Sequence, residues 1–489
     1  MADNLVIVES PAKANTIEKI LGKDFKVVSS YGHIRDLAKK NMGIDIANSF
    51  QPQYQVSEDK KKVLSSLIKE SKKSSVIWLA TDEDREGEAI AWHLYEAMNL
   101  SVKKVHRIVF HEITSTAIKS AITKPRDIDI DLVNAQQARR ILDRIVGFKL
   151  SPILWKKVRT GLSAGRVQSV AVRLIVEKEK NIKQFIPTKS YVVSAEFITN
   201  NESFTSILID KFDKKSEVID LLESFIGSDF TVDMIETKPS KSSPSPPFTT
   251  SSLQQSASNR LGFSVSRTMS TAQKLYEAGF ITYMRTDSTA LSNDSVSNME
   301  RYILDNYGDK YLEKRKYTTK AKVAQEAHEA IRPTDVYKLN CGADDSQKKL
   351  YNLIWERSIC SQMSNAIFDK TNMNIVTDNK HRSVFQSKGQ MIKFDGYLRA
   401  QNDISNSSKK DKLLPSLKLG DKVLYRVMNG NEKYTKSPSR FTEASLVKKM
   451  EDLGIGRPST YAPTISVIQK REYVLKEDVL GVEKEHVNL

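Results

Sequence analysis

Residues 76–88 of the chain read VIWLATDEDREGE, and this stretch decides the fold of the N-terminal region. Its first five residues are an apolar run typical of a buried strand, and the apolar spacing over 86–98 predicts a helix. Residues 5–8 (LVIV) are a second such run, and Pro11 follows where a first helical turn tolerates proline. The repeated order of strand, turn and helix predicts an α/β domain with a mostly parallel sheet over residues 1–130.

Three carboxylates follow the strand predicted at 76–80. Asp82, Asp84 and Glu86 form an Asp-x-Asp-x-Glu pattern at a strand's carboxyl end, where α/β sheets bind their ligands. Such oxygen ligands suit Mg²⁺, which keeps several waters and shares substrate phosphates. An acid-rich helix N-terminus, favoured by the helix dipole, is the alternative. Glu9 ends the first strand in a comparable position, and this match favours the metal site.

Two other segments carry residues suited to phosphate chemistry. Lys13 lies in the first turn of the first predicted helix, and helix N-termini bind phosphate. Residues 280–287 (FITYMRTD) have strand propensity, and in a strand Tyr283, Arg285 and Asp287 share one face. A tyrosine beside an arginine suits a nucleophile with its phosphate clamp. The chain has 17 tyrosines, however, so spacing alone does not select Tyr283.

Weaker signals come from a histidine and from two loops of small residues. Residues 327–334 (AHEAIRPT) place His328 and Arg332 one helical turn apart before a proline, a pair that is more often structural. Residues 161–169 (GLSAGRVQS) and 454–461 (GIGRPSTY) allow a nucleic-acid backbone to approach closely. Neither loop fits the glycine-rich phosphate loop, so no ATP site is predicted.

The composition favours a polyanionic partner. Of the 489 residues, 76 are Lys or Arg and 60 are Asp or Glu, which gives a net charge of +16. Eight basic residues and one acid lie between positions 139 and 166, so the excess is concentrated there. A solvated lysine-rich surface is the alternative reading of the total charge. The length suggests about three domains.

Several classes of protein are excluded. The only cysteines, Cys341 and Cys360, exclude a disulfide scaffold and a cysteine-based zinc finger, and they fit a reducing compartment. No apolar run approaches the roughly 18 residues of a membrane span. The N-terminus lacks the basic segment of a secretory signal. A cytoplasmic protein is therefore predicted.

Beyond residue 130 the amino-acid sequence alternates between helical and β-rich patterns. Residues 132–182 have helical spacing, and the Pro/Ser-rich stretch 238–252 predicts a linker or extended strap. Strands are predicted at 191–198, 203–209, 373–376, 383–398 and 422–427. Because these strands flank a largely helical segment, they predict a discontinuous β-rich domain with another domain inserted into it.

Taken together, these stretches resemble the bacterial type IA DNA topoisomerases, and topoisomerase I more than topoisomerase III. The matching text, in the family's order, is LVIVESPAKANTI, SYGHIRDL, TDEDREGEAIAWHL, NAQQARRILDRIVGFKLSPILWKKV, GLSAGRVQSVAVRLI, PPFTTSSLQQ, ITYMRTDST, EAHEAIRPT, FDGYL and GIGRPSTYA. The resemblance implies an α/β plus α+β multidomain fold, in which a Toprim domain and three further domains enclose a toroidal hole, two of them discontinuous. The implied segments are Toprim 1–130, helical DNA-binding domain 131–187 and 434–489, β-rich arch 188–245 and 367–433, and tyrosine-bearing helical domain 246–366.

The resemblance also implies the reaction and its residues. Tyr283 would cleave one strand and form a 5′-phosphotyrosine link, with Arg285 and Lys13 stabilising the phosphate. Glu9 would be the general acid at the leaving 3′ oxygen. Mg²⁺, needed chiefly for resealing, would be held by Glu9, Asp82, Asp84 and Glu86. Residues expected to contact or position DNA are His33, Arg139, Asp143, Gly165, Arg166, Gln168, His328, Arg332, Arg457, Ser459 and Thr460.

A monomer acting on single-stranded regions of negatively supercoiled DNA at the nucleoid is the expected form, without ATP or zinc. Two departures from the family are visible. Glu83 stands where many relatives have proline or glycine, and the text ends at Leu489, so an incomplete fourth domain without zinc ribbons is expected. The alternatives are a truncated single-strand DNA-binding or nicking remnant and, less favoured, a Toprim primase or nuclease, which would not need ITYMRTDST.

Overall fold

The N-terminal region is built around a four-stranded sheet. Its elements are β1 (Asn4–Val8), α1 (Pro11–Leu21), β2 (Phe25–Ser29), β3 (Arg35–Leu37), β4 (Ile44–Asp45), β5 (Gln51–Pro52), β6 (Tyr54–Val56), α2 (Lys61–Ser71), β7 (Val76–Leu79), α3 (Arg85–Ala97), β8 (Lys104–Arg107) and α4 (Ser115–Thr123). The sheet order is β2-β1-β7-β8 and every pair is parallel. The predicted parallel α/β domain is therefore confirmed. The computed structural model describes residues 3–38, 41–199, 202–317, 329–378, 382–405 and 413–478.

The two central strands, β1 and β7, end side by side. Ile7 pairs with Leu79, and both side chains are fully buried, as expected for strands inside a parallel sheet. Ser10 caps α1 by accepting the N–H of Lys13, and Pro11 opens the helix. The chain turns from β1 into α1 and from β7 into α3 at the same edge of the sheet. The residues that follow these two strands are therefore close together.

Two helices follow the α/β domain. They are α5 (Ile130–Lys157) and α6 (Arg166–Gln184), and residues 158–165 separate them within the stretch predicted as helical. Ala171 of α6 is fully buried, and Leu174 and Ile175 pack in the same small core. The helical spacing predicted for this segment is thus confirmed in α6, and apolar residues of the helix form part of a core.

The next strands of the chain include part of the stretch that was predicted to be a linker. β9 (Lys189–Thr199) and β10 (Glu202–Phe212) are followed by α7 (Lys215–Ser224) and β11 (Phe230–Ser242). The linker predicted at 238–252 is wrong at its start, because residues 238–242 belong to β11. The end of this strand is largely exposed, so its polar composition resembles that of a linker.

Four helices are described in what we call the helical insertion, residues 250–361, outside positions 318–328. They are α8 (Thr250–Leu261), α9 (Val265–Glu277), α10 (Asn293–Tyr307) and α11 (Asp345–Ser361). The insertion shares one apolar core with the α/β domain, since Val6 and Phe110 lie in the same buried cluster as Tyr276 and Tyr283. The tyrosine singled out in the sequence therefore lies where these two units pack.

Two local predictions within the insertion are wrong. Residues 280–287 form an irregular segment and not a strand: Phe280 and Met284 lie at bends, and Ile281 makes an isolated bridge to Pro333. Their backbone N–H groups donate to four separate places, Leu275, Arg332, His111 and Thr250, instead of to one neighbouring strand. Residues 329–334 are likewise not helical, because Ile331 and Pro333 bridge to extended segments. His328 lies outside the described residues.

The chain then returns to the β-rich domain. β12 (Ala366–Thr377), β13 (Val384–Phe394), α12 (Leu398–Ser405) and β14 (Lys422–Tyr434) follow the insertion, and α13 (Glu443–Asp452) and α14 (Tyr461–Lys470) come last. Strands from both sides of the insertion close a six-stranded barrel of order β10-β13-β12-β11-β14-β9. The discontinuous β-rich domain is as predicted, although the strand predicted at 383–398 ends at Phe394. Among the described helices, none combines the length and apolarity that crossing a membrane requires.

Candidate active site

The acidic loop, as we call residues 80–86, consists of the turn after β7 and the first two residues of α3. Asp84 caps α3 by accepting the N–H of Gly87 at 2.8 Å. Gly87 allows the loop to fold back on itself, because a Cβ there would lie 2.1 Å from the carbonyl oxygen of Asp82. The carboxylates are therefore presented by a tightly wound strand-to-helix turn, as the pattern predicts.

Glu9, Lys13 and Asp82 form a buried cluster where β1 and β7 end. The Glu9 carboxylate accepts the N–H of Asp82 at 2.9 Å and lies 3.3 Å from Lys13 Nζ, which also pairs with Asp82. Lys13 is fully buried. Burial, together with the charge of Asp82, raises the pKa of Glu9. Although burial opposes it, Lys13 holds the pKa of Asp82 below its ordinary value. A proton-bearing carboxyl and a carboxylate thus lie beside one buried ammonium.

Tyr283 lies against the acidic loop. Its hydroxyl donates to Asp84 Oδ2 at 2.6 Å, and Arg285 Nη1 lies 3.5 Å from the same oxygen. Burial raises the pKa of Tyr283 well above its ordinary value; Asp82 and Asp84 add to this shift and Arg285 opposes it. The tyrosine is thus a neutral phenol in this state, with a cation and a carboxylate at its oxygen.

Further contacts join the α/β domain to the helical insertion around Tyr283. The N–H of Tyr283 donates to the His111 carbonyl at 2.8 Å. The His111 ring lies 2.7 Å from Glu83, which raises the pKa of His111. Arg332 of the insertion lies 2.9 Å from Glu112. Glu83, which departs from the residue found in many members of the family, therefore pairs with His111.

Glu86 is held by α5. Gln136 Nε2 donates to it at 3.0 Å, His33 lies at 3.5 Å, and Arg139 lies at 3.6 Å. Burial opposes ionisation, but the hydrogen bonds from His33 and Gln136 lower the pKa of Glu86 to about 2. Gln136 was missed at the level of sequence, where only its place in the NAQQARR stretch signals it.

A cleft of about 360 Å³ opens beside these groups. Its lining includes eight of the residues predicted for the site: Asp84, Glu86, Arg139, Arg166, Arg285, Arg457, Ser459 and Thr460. Residues that the prediction did not include also line it: Arg85, Val167, Asp287, Gly454, Gly456 and Pro458. Sites far apart in sequence therefore meet in one groove that combines carboxylates with arginines.

The loop before α14 owes its shape to two short contacts. Gly456 has a φ of +80°, and Thr460 Oγ1 accepts the N–H of Arg457 at 2.8 Å. Arg457 Nη1 donates to the Gly456 carbonyl at 2.7 Å. The glycine therefore permits a turn that brings an arginine and a threonine to the cleft.

Some predicted residues lie outside the cleft lining. Asp143 pairs with Arg166 at 2.8 Å, and Gln168 donates to the Ser163 carbonyl at 2.6 Å. Gly165 caps α6 at its start. Arg332 is buried, with Glu329 and Glu112 as partners. These residues shape or neutralise the walls around the groove.

The carboxylates fit a magnesium ion held mainly by waters and phosphates. Among the residues the structure describes, no three acidic, histidine or cysteine side chains are arranged as a closed metal cage. Asp82 is engaged by Lys13, whereas Asp84 and Glu86 both line the cleft. An oxygen-only donor set with two carboxylates facing an open groove suits Mg²⁺, which seldom occupies an all-protein cage.

Comparisons with known proteins agree with this geometry. Residues 4–113 match the Toprim domain family, and residues 127–484 match a DNA topoisomerase family. The solved structure of the full-length topoisomerase I from Thermotoga maritima is similar, with 39% sequence identity and a TM-score of 0.85. The similarity covers 97% of this chain and 79% of that chain. Since the matches span most of the chain in the expected order, the chain belongs to the bacterial type IA DNA topoisomerases.

Proposed function

We propose that the protein relaxes negatively supercoiled DNA without ATP, by transient cleavage of one strand through Tyr283, passage of the other strand, and Mg²⁺-dependent resealing. One observation carries this proposal. The Tyr283 hydroxyl lies 2.6 Å from Asp84 of the acidic loop, across the contact between the α/β domain and the helical insertion. A nucleophile and the acidic residues of another unit thus meet beside an arginine-lined cleft.

Cleavage requires the phenol to lose its proton. The phenolic proton passes to Asp84, which accepts the Tyr283 hydrogen bond, and the oxygen bonds to phosphorus. Arg285, 3.5 Å from the same carboxylate, stabilises the negative charge that develops. The energy of the broken bond is kept in the tyrosyl phosphate, so resealing needs no ATP.

The leaving 3′ oxygen takes its proton from Glu9. Burial keeps this carboxyl protonated at neutral pH by raising its pKa. Lys13, 3.3 Å away, adds a positive charge beside the phosphate. On resealing, the 3′ hydroxyl returns its proton to Glu9 and attacks the phosphotyrosine, and Tyr283 leaves and takes its proton back from Asp84.

Asp82, Asp84 and Glu86 are the residues that would hold Mg²⁺, together with Glu9 once it has given its proton to the leaving 3′ oxygen. When bound, the ion would neutralise these carboxylates and attract the phosphate between them. Glu86 is suited to this role because its lowered pKa keeps it ionised.

The arginines of the cleft support single-stranded DNA as the substrate. Arg139, Arg166 and Arg457 would contact phosphates, and Ser459 and Thr460 would donate hydroxyl hydrogen bonds to them. The remaining predicted DNA residues would position the strand: His33, Asp143, Gly165, Gln168, His328 and Arg332. We propose a monomer that acts on nucleoid DNA in the cytoplasm. The domain bounds given above stay a prediction.

The test follows covalent adducts and DNA topology in parallel. A 3′-labelled single-stranded oligonucleotide should form a labelled adduct with the wild type and none with Tyr283→Phe, because the 5′-phosphotyrosine link joins the protein to the fragment that carries the 3′ end. Tyr276→Phe is the matched control, because Tyr276 is a buried neighbour with its ring 5.2 Å from that of Tyr283. The wild type should also relax negatively supercoiled plasmid with Mg²⁺ and no ATP.

Three results would contradict the proposal. Adducts formed by Tyr283→Phe would show that another residue is the nucleophile. Adducts without any change in plasmid linking number would support the nicking remnant. Hydrolysed products without an adduct would support a Toprim nuclease.

A further inference from the structure

Arg107, the last residue of β8, lies directly behind the acidic loop. Its guanidinium donates to three carbonyls of the preceding strand and of the loop: Leu79 at 3.2 Å, Thr81 at 2.8 Å and Asp82 at 2.9 Å. It also donates to its neighbour Ile108 at 2.6 Å. The Arg107 side chain is fully buried, so these carbonyls depend on it, and not on water, for their hydrogen bonds. A single side chain thus gathers the backbone from which the catalytic carboxylates project.

The guanidinium is itself fixed from the opposite side. Arg107 Nε donates to Glu88 at 3.0 Å, and Glu88 also accepts from Arg126 twice at 2.8 Å. The N–H of Asp129, which caps α5, donates to Glu88 at 2.8 Å. Glu88 is fully buried as well. The acidic loop is therefore connected through Arg107 and Glu88 to the start of the helix that carries Arg139.

The loop needs such a group for two physical reasons. Several carboxylates project from it, and their mutual repulsion favours spreading the loop apart. Its carbonyls are buried and require donors. Arginine meets both needs, since it is a permanent cation whose planar fork satisfies several acceptors at once, whereas a lysine ammonium does not reproduce that geometry.

We propose that Arg107 is a positioning residue for Mg²⁺ binding and resealing: it sets the path of the acidic loop so that Asp82, Asp84 and Glu86 act on one site, without itself touching DNA or metal. This inference rests on the proposed function. Groups that orient metal ligands from behind typically change metal affinity by about 10–100-fold when they are removed. DNA binding without metal depends on the cleft arginines and is expected to be independent of Arg107.

The experiment compares Arg107→Lys, which keeps the charge and loses the fork, with the wild type. Mg²⁺ binding to the DNA-free protein is measured by calorimetry, and affinity for a single-stranded oligonucleotide is measured by anisotropy in EDTA. We expect Mg²⁺ affinity to fall about tenfold and DNA affinity to change less than about twofold. Plasmid relaxation should require correspondingly more Mg²⁺.

Arg126→Gln is the matched control, because it removes a partner of Glu88 and leaves the bonds from Arg107 to the loop in place. It should lower the melting temperature and leave Mg²⁺ affinity unchanged. If Arg107→Lys does not fold, Glu88→Gln replaces it and should lower Mg²⁺ affinity about threefold, since Arg107 then loses its anchor.

Either of two results overturns the inference. One is wild-type Mg²⁺ affinity in Arg107→Lys or its replacement, and the other is an equal loss in Arg126→Gln. A wild-type protein that forms no Tyr283 adduct would instead refute the proposed function, so the two failures are distinguishable.

Discussion

The contact that places Tyr283 at the acidic loop should open more often when Glu112 is neutralised. Glu112 of the α/β domain lies 2.9 Å from Arg332 of the helical insertion, and 21% of its side chain is exposed. Glutamine preserves its shape and removes its charge. Because Tyr283 donates its N–H to the His111 carbonyl across the same contact, the exchange of that amide hydrogen reports opening directly.

The expected increase in opening depends on the hydrogen bonds that Arg332 retains in Glu112→Gln. An interaction with a charged partner contributes about 1.5–3 kcal/mol, and Arg332 retains its two hydrogen bonds to Glu329 at 2.6 and 2.8 Å. The lower figure therefore applies, and about 1.5 kcal/mol corresponds to roughly a tenfold increase in opening. Arg332 is largely buried, so solvent screens this pair less than it screens surface pairs.

Hydrogen exchange followed by mass spectrometry should show the Tyr283 amide exchanging about tenfold faster in Glu112→Gln. The Thr282 amide is an internal control, because it donates to the Arg332 carbonyl within the insertion. Glu70→Gln is the matched variant, since Glu70 pairs with the partly exposed Lys73 inside the α/β domain. Unchanged exchange at Tyr283, or equal acceleration at Thr282, would refute the reasoning.

Three further results are expected. In EDTA, the melting temperature of Glu9→Gln should rise relative to the wild type as pH increases from about 4.5 to 8. Burial raises the pKa of Glu9 from 4.5 to about 8, so its contribution to stability is complete below the lower value and is lost towards the upper one; a pH-independent difference would contradict this. Gly87→Ala should cost about 1–3 kcal/mol in chemical denaturation, because the new Cβ meets the Asp82 carbonyl; wild-type stability would show that the loop yields freely. Arg457→Gln should reduce the slope of log affinity against log salt by about 0.7 for single-stranded DNA, whereas an unchanged slope would remove this residue from the phosphate contacts.

The sequence predicts those parts of the fold whose interactions are local. The apolar runs at the two central strands, Pro11 at the first helix and the strands on both sides of a helical segment all indicate the observed elements. Residues 280–287 differ, because their backbone partners are distant. Thr282 binds Arg332, Tyr283 binds His111 and Thr286 binds Thr250. Strand propensity does not report such partners, so the segment was predicted as a strand.

The candidate site divides in the same way. Motifs identify residues that face the cleft, since those residues come from short, recognisable stretches. Arg107 carries no such signal, because an arginine at the end of a strand reads like any other in a basic chain. The basic stretch 139–166 was also less free than its composition suggested. Within it, Arg140 pairs with Asp36 and Arg166 with Asp143.

The connections of the helical insertion bear on how the cut strand is kept. Both ends of the insertion continue into neighbouring strands of the barrel, β11 and β12. These two strands are paired as far as Ser242 and Ala366. A two-stranded ribbon bends more easily perpendicular to its plane than within it. If Tyr283 carries a covalently attached DNA end, as proposed, this connection would restrict the directions in which the insertion moves that end away from the site and back. The protein, and not diffusion, would then bring the severed ends back together, if Tyr283 cleaves the strand as proposed.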